Sequence, residues 1–287
     1  MAAADPPPVI ELQVNKVDPQ VDAEWHALLS GDHEGNRSLR KLRRTFKNLP
    51  SGPRCKLCYA PYGAPFGPIL NLFGYGPWDK NPSLCGVCMR QLEKDLGGAE
   101  VELTMLFADL RGSTELAERL PAAAYRHMVN AFYGVAARHV NDSGGMVDKY
   151  LGDGILALWI PGFSGQHHAS LAVTAAKEML RETADASWLP ADVRPLPVAI
   201  GVHTGLAYVG VLGRSGGLLD FTALGDAVNL TQRLSSAASS RELLISDETR
   251  LAAGFEASGL QSRELELKGI SRPVLAWAAA DPEAARA

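Results

Sequence analysis

The sequence predicts an α+β fold: a mixed, largely antiparallel sheet covered by helices, preceded by a small cysteine-rich module. Three observations predict it. Between about residues 99 and 280, apolar runs of strand length alternate with segments of helical period. Two of those runs, MVDKYL and ILALWI, are separated only by Gly152-Asp153-Gly154, which reads as an antiparallel hairpin. All four cysteines fall between residues 55 and 88, in two C-x-x-C pairs outside that alternation.

In chain order, residues 1–36 begin with a Pro-rich stretch and are expected to form a loose arm, in which the segment around Trp25 could dock as a short helix. Residues 37–98 hold a basic segment and the cysteine module. From Arg37 to Lys56 there are eight basic residues and no acidic ones, with Leu39, Leu42 and Phe46 at helical spacing. Such a helix either packs its apolar stripe on the neighbouring domain or meets nucleic acid, a membrane surface or an acidic partner. A break is expected at Leu96-Gly97-Gly98. After it come a strand over 101–110, a helix over 121–141 with Pro121 at its first position, and the Gly-Asp-Gly hairpin. A helix follows over about 165–184, then a second hairpin with arms PVAIGVHTG and LAYVGVLG, then a helix from Asp226 to about Ala238. Short strands near LLIS, ELELKG and VLAWAA complete the region, and residues 281–287 read as a frayed tail. This order implies helices on one side of the sheet.

The chain has 287 residues, 46% hydrophobic and 21% charged, with a formal net charge of −4. It can bury a core without disulfides, and an acidic balance argues against nucleic acid as the main partner. No apolar run approaches the roughly 20 residues that span a bilayer, and no basic stretch precedes an apolar core at the start, so a cytoplasmic protein is expected. The clustering of Cys55, Cys58, Cys85 and Cys88 favours a metal site in a reducing compartment over a disulfide framework. Each pair forms a knuckle in which two thiolates converge, and four sulfurs suit zinc. The 26 residues between the pairs exceed the usual zinc-ribbon spacing of about 15 to 20, which leaves an iron–sulfur cluster open.

Asp109 and Asp153 each sit where a strand runs out into a glycine-containing turn, in LFADLRGST and KYLGDG. That position suits divalent cations beside backbone N–H groups free to receive phosphate. Asn229 and Arg233, at i and i+4, leave one helix face together; such a pair could hold a ribose oxygen and stabilise charge building on a phosphoryl group. Lys268 before Gly269 closes a strand, a place for a cation to meet a triphosphate. Four further residues read as structural: His167 and His168 on a solvated helix face, His203 in the core or at a sheet edge, and Asp226 as a helix cap.

Across about residues 99 to 280 the sequence resembles the class III nucleotidyl cyclases, through LFADLRGST, KYLGDG and FTALGDAVNLTQR in that order. The resemblance implies the ferredoxin-like cyclase fold and a homodimer whose metal aspartates and Asn/Arg pair come from opposite subunits. It implies that Asp109 and Asp153, with the Leu110 carbonyl, bind two Mg²⁺ or Mn²⁺ ions, and that Lys149 and Thr222 read the base. Asn229 would orient the ribose, Arg233 would contact the α-phosphate and Lys268 the terminal phosphates. Thr222 stands where many members carry Asp, as in a bacterial Lys/Thr subgroup. A lysine donor and a hydroxyl acceptor fit adenine, so the expected reaction is ATP to 3′,5′-cyclic AMP and pyrophosphate. The alternatives are a guanylyl cyclase, or an inactive cyclase-shaped binding module.

Overall fold

The computed structural model describes residues 19–32, 37–50, 52–79, 81–94, 97–187, 189, 194–213, 219–257 and 260–278. The Pro-rich start of the arm, the expected tail over 281–287 and Leu96 of the expected break lie outside these residues. One sheet holds β1 (Gly98–Leu110), β2 (Met146–Leu151), β3 (Gly154–Trp159), β4 (Val198–Gly213), β5 (Leu219–Leu224), β6 (Leu243–Ser246), β7 (Gln261–Leu265) and β8 (Val274–Ala278). The order is β2-β3-β1-β4-β6-β8-β7, with β5 on β4. All pairs are antiparallel except β4 with β6, so the expected mixed sheet is observed.

The helices are on both faces rather than one. Alternation along β1 explains why: Leu106, Ala108 and Leu110 enter a core with Phe132, Val173 and Met179, whereas Val101, Leu103, Met105 and Phe107 enter another. A strand apolar on both faces must be covered twice. The first face carries α6 (Ala122–Asp142) and α8 (His168–Asp185). The second carries α9 (Asp226–Ala237), α1 (Pro19–Ser30) and the cysteine module. Trp25 and Leu29 of α1 are buried there, and Trp25 stacks on Phe221 of β5 with ring centroids 6.4 Å apart. The segment around Trp25 therefore docks as a helix, and it is part of the core.

The expected second hairpin is a single strand. PVAIGVHTG and LAYVGVLG run on as the 16 residues of β4, and Gly205, read as the turn, pairs with Leu103. The cause is tertiary: β1 pairs with β4 along its whole length, from Gly98↔Gly210 to Leu110↔Val198, and this ladder outweighs the local Thr-Gly signal. The hairpin is made instead by β4 with β5. Gly97 and Gly98, at the expected break, are themselves closely packed against β4. The Gly97 carbonyl accepts from the Val211 N–H at 2.9 Å, and a Cβ on Gly98 would lie 2.3 Å from the Val209 oxygen. Pro121 occupies the N-cap of α6, one residue earlier than expected, and β7 ends at Leu265, so Lys268 lies in the following turn and not on a strand. Short helices α5 (Ser113–Arg119), α7 (Pro161–Ser164) and α10 (Asp247–Ala252) were not anticipated.

Gly201 marks a close approach of α9 to the sheet. A Cβ there would lie 2.2 Å from the Ser235 nitrogen, backbone against backbone, so neither group can yield by rotating. Gly201→Ala is expected to cost about 1–3 kcal/mol by overpacking, read as a lower denaturation midpoint in urea at unchanged slope.

Candidate active site

Asp109, next to last in β1, lies opposite Gly154, and Asp153 occupies the turn between β2 and β3. The Leu110 N–H donates to the Asp153 carbonyl at 3.2 Å, which fixes the turn against the strand end. With Leu110, the two aspartates line a cavity of about 290 Å³. The Ser235 hydroxyl donates to Asp109 Oδ2 at 2.9 Å, and Arg111 stands 3.3 Å from Oδ1. Burial pushes the Asp109 carboxyl up, Arg111 and Ser235 pull it down, and the Asp153 charge pushes it up again. A partly buried carboxylate with a second carboxylate charge beside it is what a dication would relieve, so the donor set fits Mg²⁺ or Mn²⁺. The backbone donors beside them are less free than expected, because the Arg111 N–H is bonded to the Pro197 carbonyl.

Asn229, Arg233 and Lys268 line a different and larger cavity of about 710 Å³. The i, i+4 spacing on α9 carries Asn229 and Arg233 to it together, as expected. Gln232 and Ser236 of the same helix line the smaller cavity, so α9 lies between the two. The N-cap of α9 is Gly225, not Asp226, which is the first helical residue and gains from the macrodipole instead. His203 is buried as expected, its Nδ1 2.8 Å from Ser246 Oγ, and burial lowers its pKa to about 4. His168 is not on a solvated face. It is buried, with Nδ1 2.8 Å from Thr104 Oγ1, because the stripe of Ala169, Ala172, Val173 and Ala176 turns that side of α8 inward.

Lys149 and Thr222 come from β2 and β5, which do not pair in the sheet, yet they are joined by two carboxylates that the sequence reading missed. Lys149 Nζ is 3.1 Å from Asp220 Oδ2. Thr222 Oγ1 donates to Asp148 Oδ2 at 2.7 Å. The register shifts between Val147 and Lys149, and Asp148 sits inside this irregularity with its side chain fully buried. Asp148 adjoins Lys149 in VDKYLGD, so its place in the motif was visible, but the partner on β5 was not. Arg111 and Ser235 were also missed; Arg111 lies two residues after the first aspartate and donates to the carbonyls of Ala238 and Ser235.

Residues 99–277 match the family model described as the adenylate and guanylate cyclase catalytic domain. The chain belongs to this family. Among curated relatives, the cyclase region is 28% identical over 142 residues to an adenylate cyclase of Anabaena cylindrica, spanning 49% of this chain and 28% of that one. It is 32% identical over 131 residues to the terminal-differentiation-specific adenylate cyclase of Dictyostelium discoideum, spanning 46% of this chain and 6% of that one. The match thus spans under a third of the length of either. Among solved structures, the guanylyl cyclase Cya2 is 32% identical with a TM-score of 0.57, covering 66% of this chain and 96% of that one. The adenylyl cyclase CyaB from P. aeruginosa is 31% identical with a TM-score of 0.55, covering 63% and 95%.

The cysteine module precedes the matched cyclase domain and packs on it. Cys55, Cys58, Cys85 and Cys88 are buried, free of disulfides, and their sulfurs lie within 4.8 Å of one another. Cys58 and Cys85 sulfurs are 3.7 Å apart, about the edge of a tetrahedron with metal–sulfur bonds of roughly 2.3 Å. The Cys85 N–H donates to Cys55 Sγ at 3.3 Å, as knuckles do when they stabilise thiolates. Hydrogen bonds from Cys55 and its neighbours hold Cys58 and Cys88 well above the ordinary thiol range, a state that a bound cation would reverse. The basic helix α2 (Arg37–Lys47) is a packing element: Leu39 and Phe46 are buried, and Arg43 donates to the carbonyls of Leu57 at 2.6 Å and Gly162 at 3.0 Å. Among the described residues, no helix is long and apolar enough to cross a membrane.

Proposed function

We propose that the chain is an adenylate cyclase that converts ATP to 3′,5′-cyclic AMP and pyrophosphate at two sites shared across a homodimer. The supporting observation is the division of the candidate residues: Asp109 and Asp153 line one cavity, while Asn229, Arg233 and Lys268 line another. Each cavity holds half of what phosphoryl transfer requires, and a two-fold dimer would set one half against the other. The ribose 3′-oxygen attacks the α-phosphorus and loses its proton to solvent, and the bond to the pyrophosphate oxygen breaks. Asp109, Asp153 and the Leu110 carbonyl would hold two Mg²⁺ or Mn²⁺ ions, which supply charge neutralisation at the nucleophile and the phosphates. Asn229 orients the ribose, Arg233 meets charge on the α-phosphate and Lys268 holds the terminal phosphates.

Lys149 donates to the ring nitrogen of adenine and Thr222 accepts from its amine, so ATP is preferred over GTP. In the cysteine module we propose one zinc ion, because four sulfurs this close surround a single centre, whereas a cluster spreads its thiolates over separate irons. Four free thiols so arranged fit the cytoplasm. Product analysis with ATP and GTP side by side, on protein of measured metal content with Mn²⁺ added, tests these assignments. Cyclic AMP as the dominant product is expected. Cyclic GMP in excess overturns the base assignment, and no cyclic nucleotide from a folded dimer overturns the enzyme.

A further inference from the structure

The Asp148 carboxylate is an unusual group for the middle of a strand. Its side chain is fully buried; Oδ2 receives the Thr222 hydroxyl at 2.7 Å, and Oδ1 has no hydrogen-bond partner. A charge buried with one oxygen unpaired costs stability, and an amide or hydroxyl could have bonded Thr222 without that cost. What a carboxylate does that those groups do not is accept only. A threonine hydroxyl has one hydrogen and two lone pairs, and beside a carboxylate its hydrogen has one destination. The other acceptor near it, the Ala223 carbonyl, is 3.5 Å away and competes poorly.

We infer that Asp148 is a positioning residue for base selection: by taking the Thr222 hydrogen, it leaves only lone pairs for the nucleobase. This rests on the proposed contact of Thr222 with the base. Thr222 then accepts from the exocyclic amine of adenine and meets the carbonyl of guanine as one acceptor facing another. Lys149 reinforces the arrangement, since its Nζ lies 3.9 Å from Asp148 Oδ2 and 3.1 Å from Asp220 Oδ2, between the two carboxylates. Without a carboxylate at 148, the hydroxyl can rotate and donate to the guanine carbonyl, and discrimination falls.

Protonation would act as the substitution does, because a carboxyl O–H can donate to Thr222 and free the threonine hydrogen for the ligand. Burial pushes Asp148 up to about 7; the Thr222 bond and Lys149 on β2 oppose this, and Asp220 on β5 adds to it. As pH falls through that value the carboxylate is lost, so selectivity for ATP falls with it.

The test compares kcat/KM for ATP and GTP in the full chain, from pH 6 to 8, for wild type, Asp148→Asn, Thr222→Val and the double variant. The expected result is a wild-type ratio favouring ATP that declines below pH 7, and an Asp148→Asn ratio about tenfold lower and flat with pH. The double variant should be no less selective than Thr222→Val alone, because both changes remove one device. Melting temperatures identify any variant that fails to fold, in which case the wild-type pH profile decides. If Asp148→Asn keeps the wild-type ratio and its pH dependence while Thr222→Val loses selectivity, Thr222 reads the base unaided and the role of Asp148 is overturned. A wild type with no ATP preference removes the base reading, and this inference with it.

Discussion

Asp109→Asn and Arg233→Ala proteins are each expected to be nearly inactive, and co-expressing them is expected to restore about a quarter of wild-type turnover. The first substitution removes a charge from the carboxylate pair while keeping the hydrogen-bonding shape that Ser235 and Arg111 hold. The second removes a preorganised cation, worth about 10² to 10³ in turnover for a group that meets transition-state charge. The recovery follows from the two cavities. If each site takes its aspartates from one chain and its Asn229–Arg233 pair from the other, a mixed dimer has one site with both faults and one with neither. Random pairing makes about half of all dimers mixed, and half of their sites are intact. A mixture no more active than its components would place all the residues of a site within one chain.

What the sequence made legible was local. The two C-x-x-C pairs, the Gly-Asp-Gly hairpin and the i, i+4 pair on α9 each lie within a short span, and all are found as read. What it hid depends on partners far along the chain. Thr204-Gly205 looks like a turn until the 13 residues of β1 are laid beside it. His168 looks solvated beside His167 until Thr104, 64 residues earlier, is found against its ring. Arg43 sits in a basic segment that reads as a surface, yet it bonds Gly162 across 119 residues. Asp148 is the sharpest case, because it adjoins a residue singled out for base recognition and has its own role through β5, 74 residues away.

Removing the zinc proposed for the cysteine module is expected to melt that module and lower both stability and turnover. Among its described residues the regular structure is α3 (Gly67–Leu72) and α4 (Gly86–Lys94), too little to hold a segment rich in Gly, Pro and aromatics together. A structural zinc contributes on the order of 10 kcal/mol to small zinc domains, comparable to the whole stability of a domain. The consequence reaches the catalytic sheet because the cysteines, Leu84 and Met89 share one core with Val101, Leu103 and Met105 of β1. It reaches β2 as well. Asn81 Nδ2 donates to the Val147 carbonyl at 3.3 Å, immediately before the irregularity that buries Asp148, and Lys56 donates to the Asn141 carbonyl at 3.1 Å. Chelated protein, assayed after Mg²⁺ is restored, should show a lower melting temperature, new proteolytic cuts within residues 59–84 and reduced turnover. Zn²⁺ should reverse all three. Cys58→Ser should behave as the chelated form does. If the melting temperature and rate survive with the metal gone, the four thiols are packing atoms, and the module's hold on β2 comes from α1, α2 and the buried Arg43 instead.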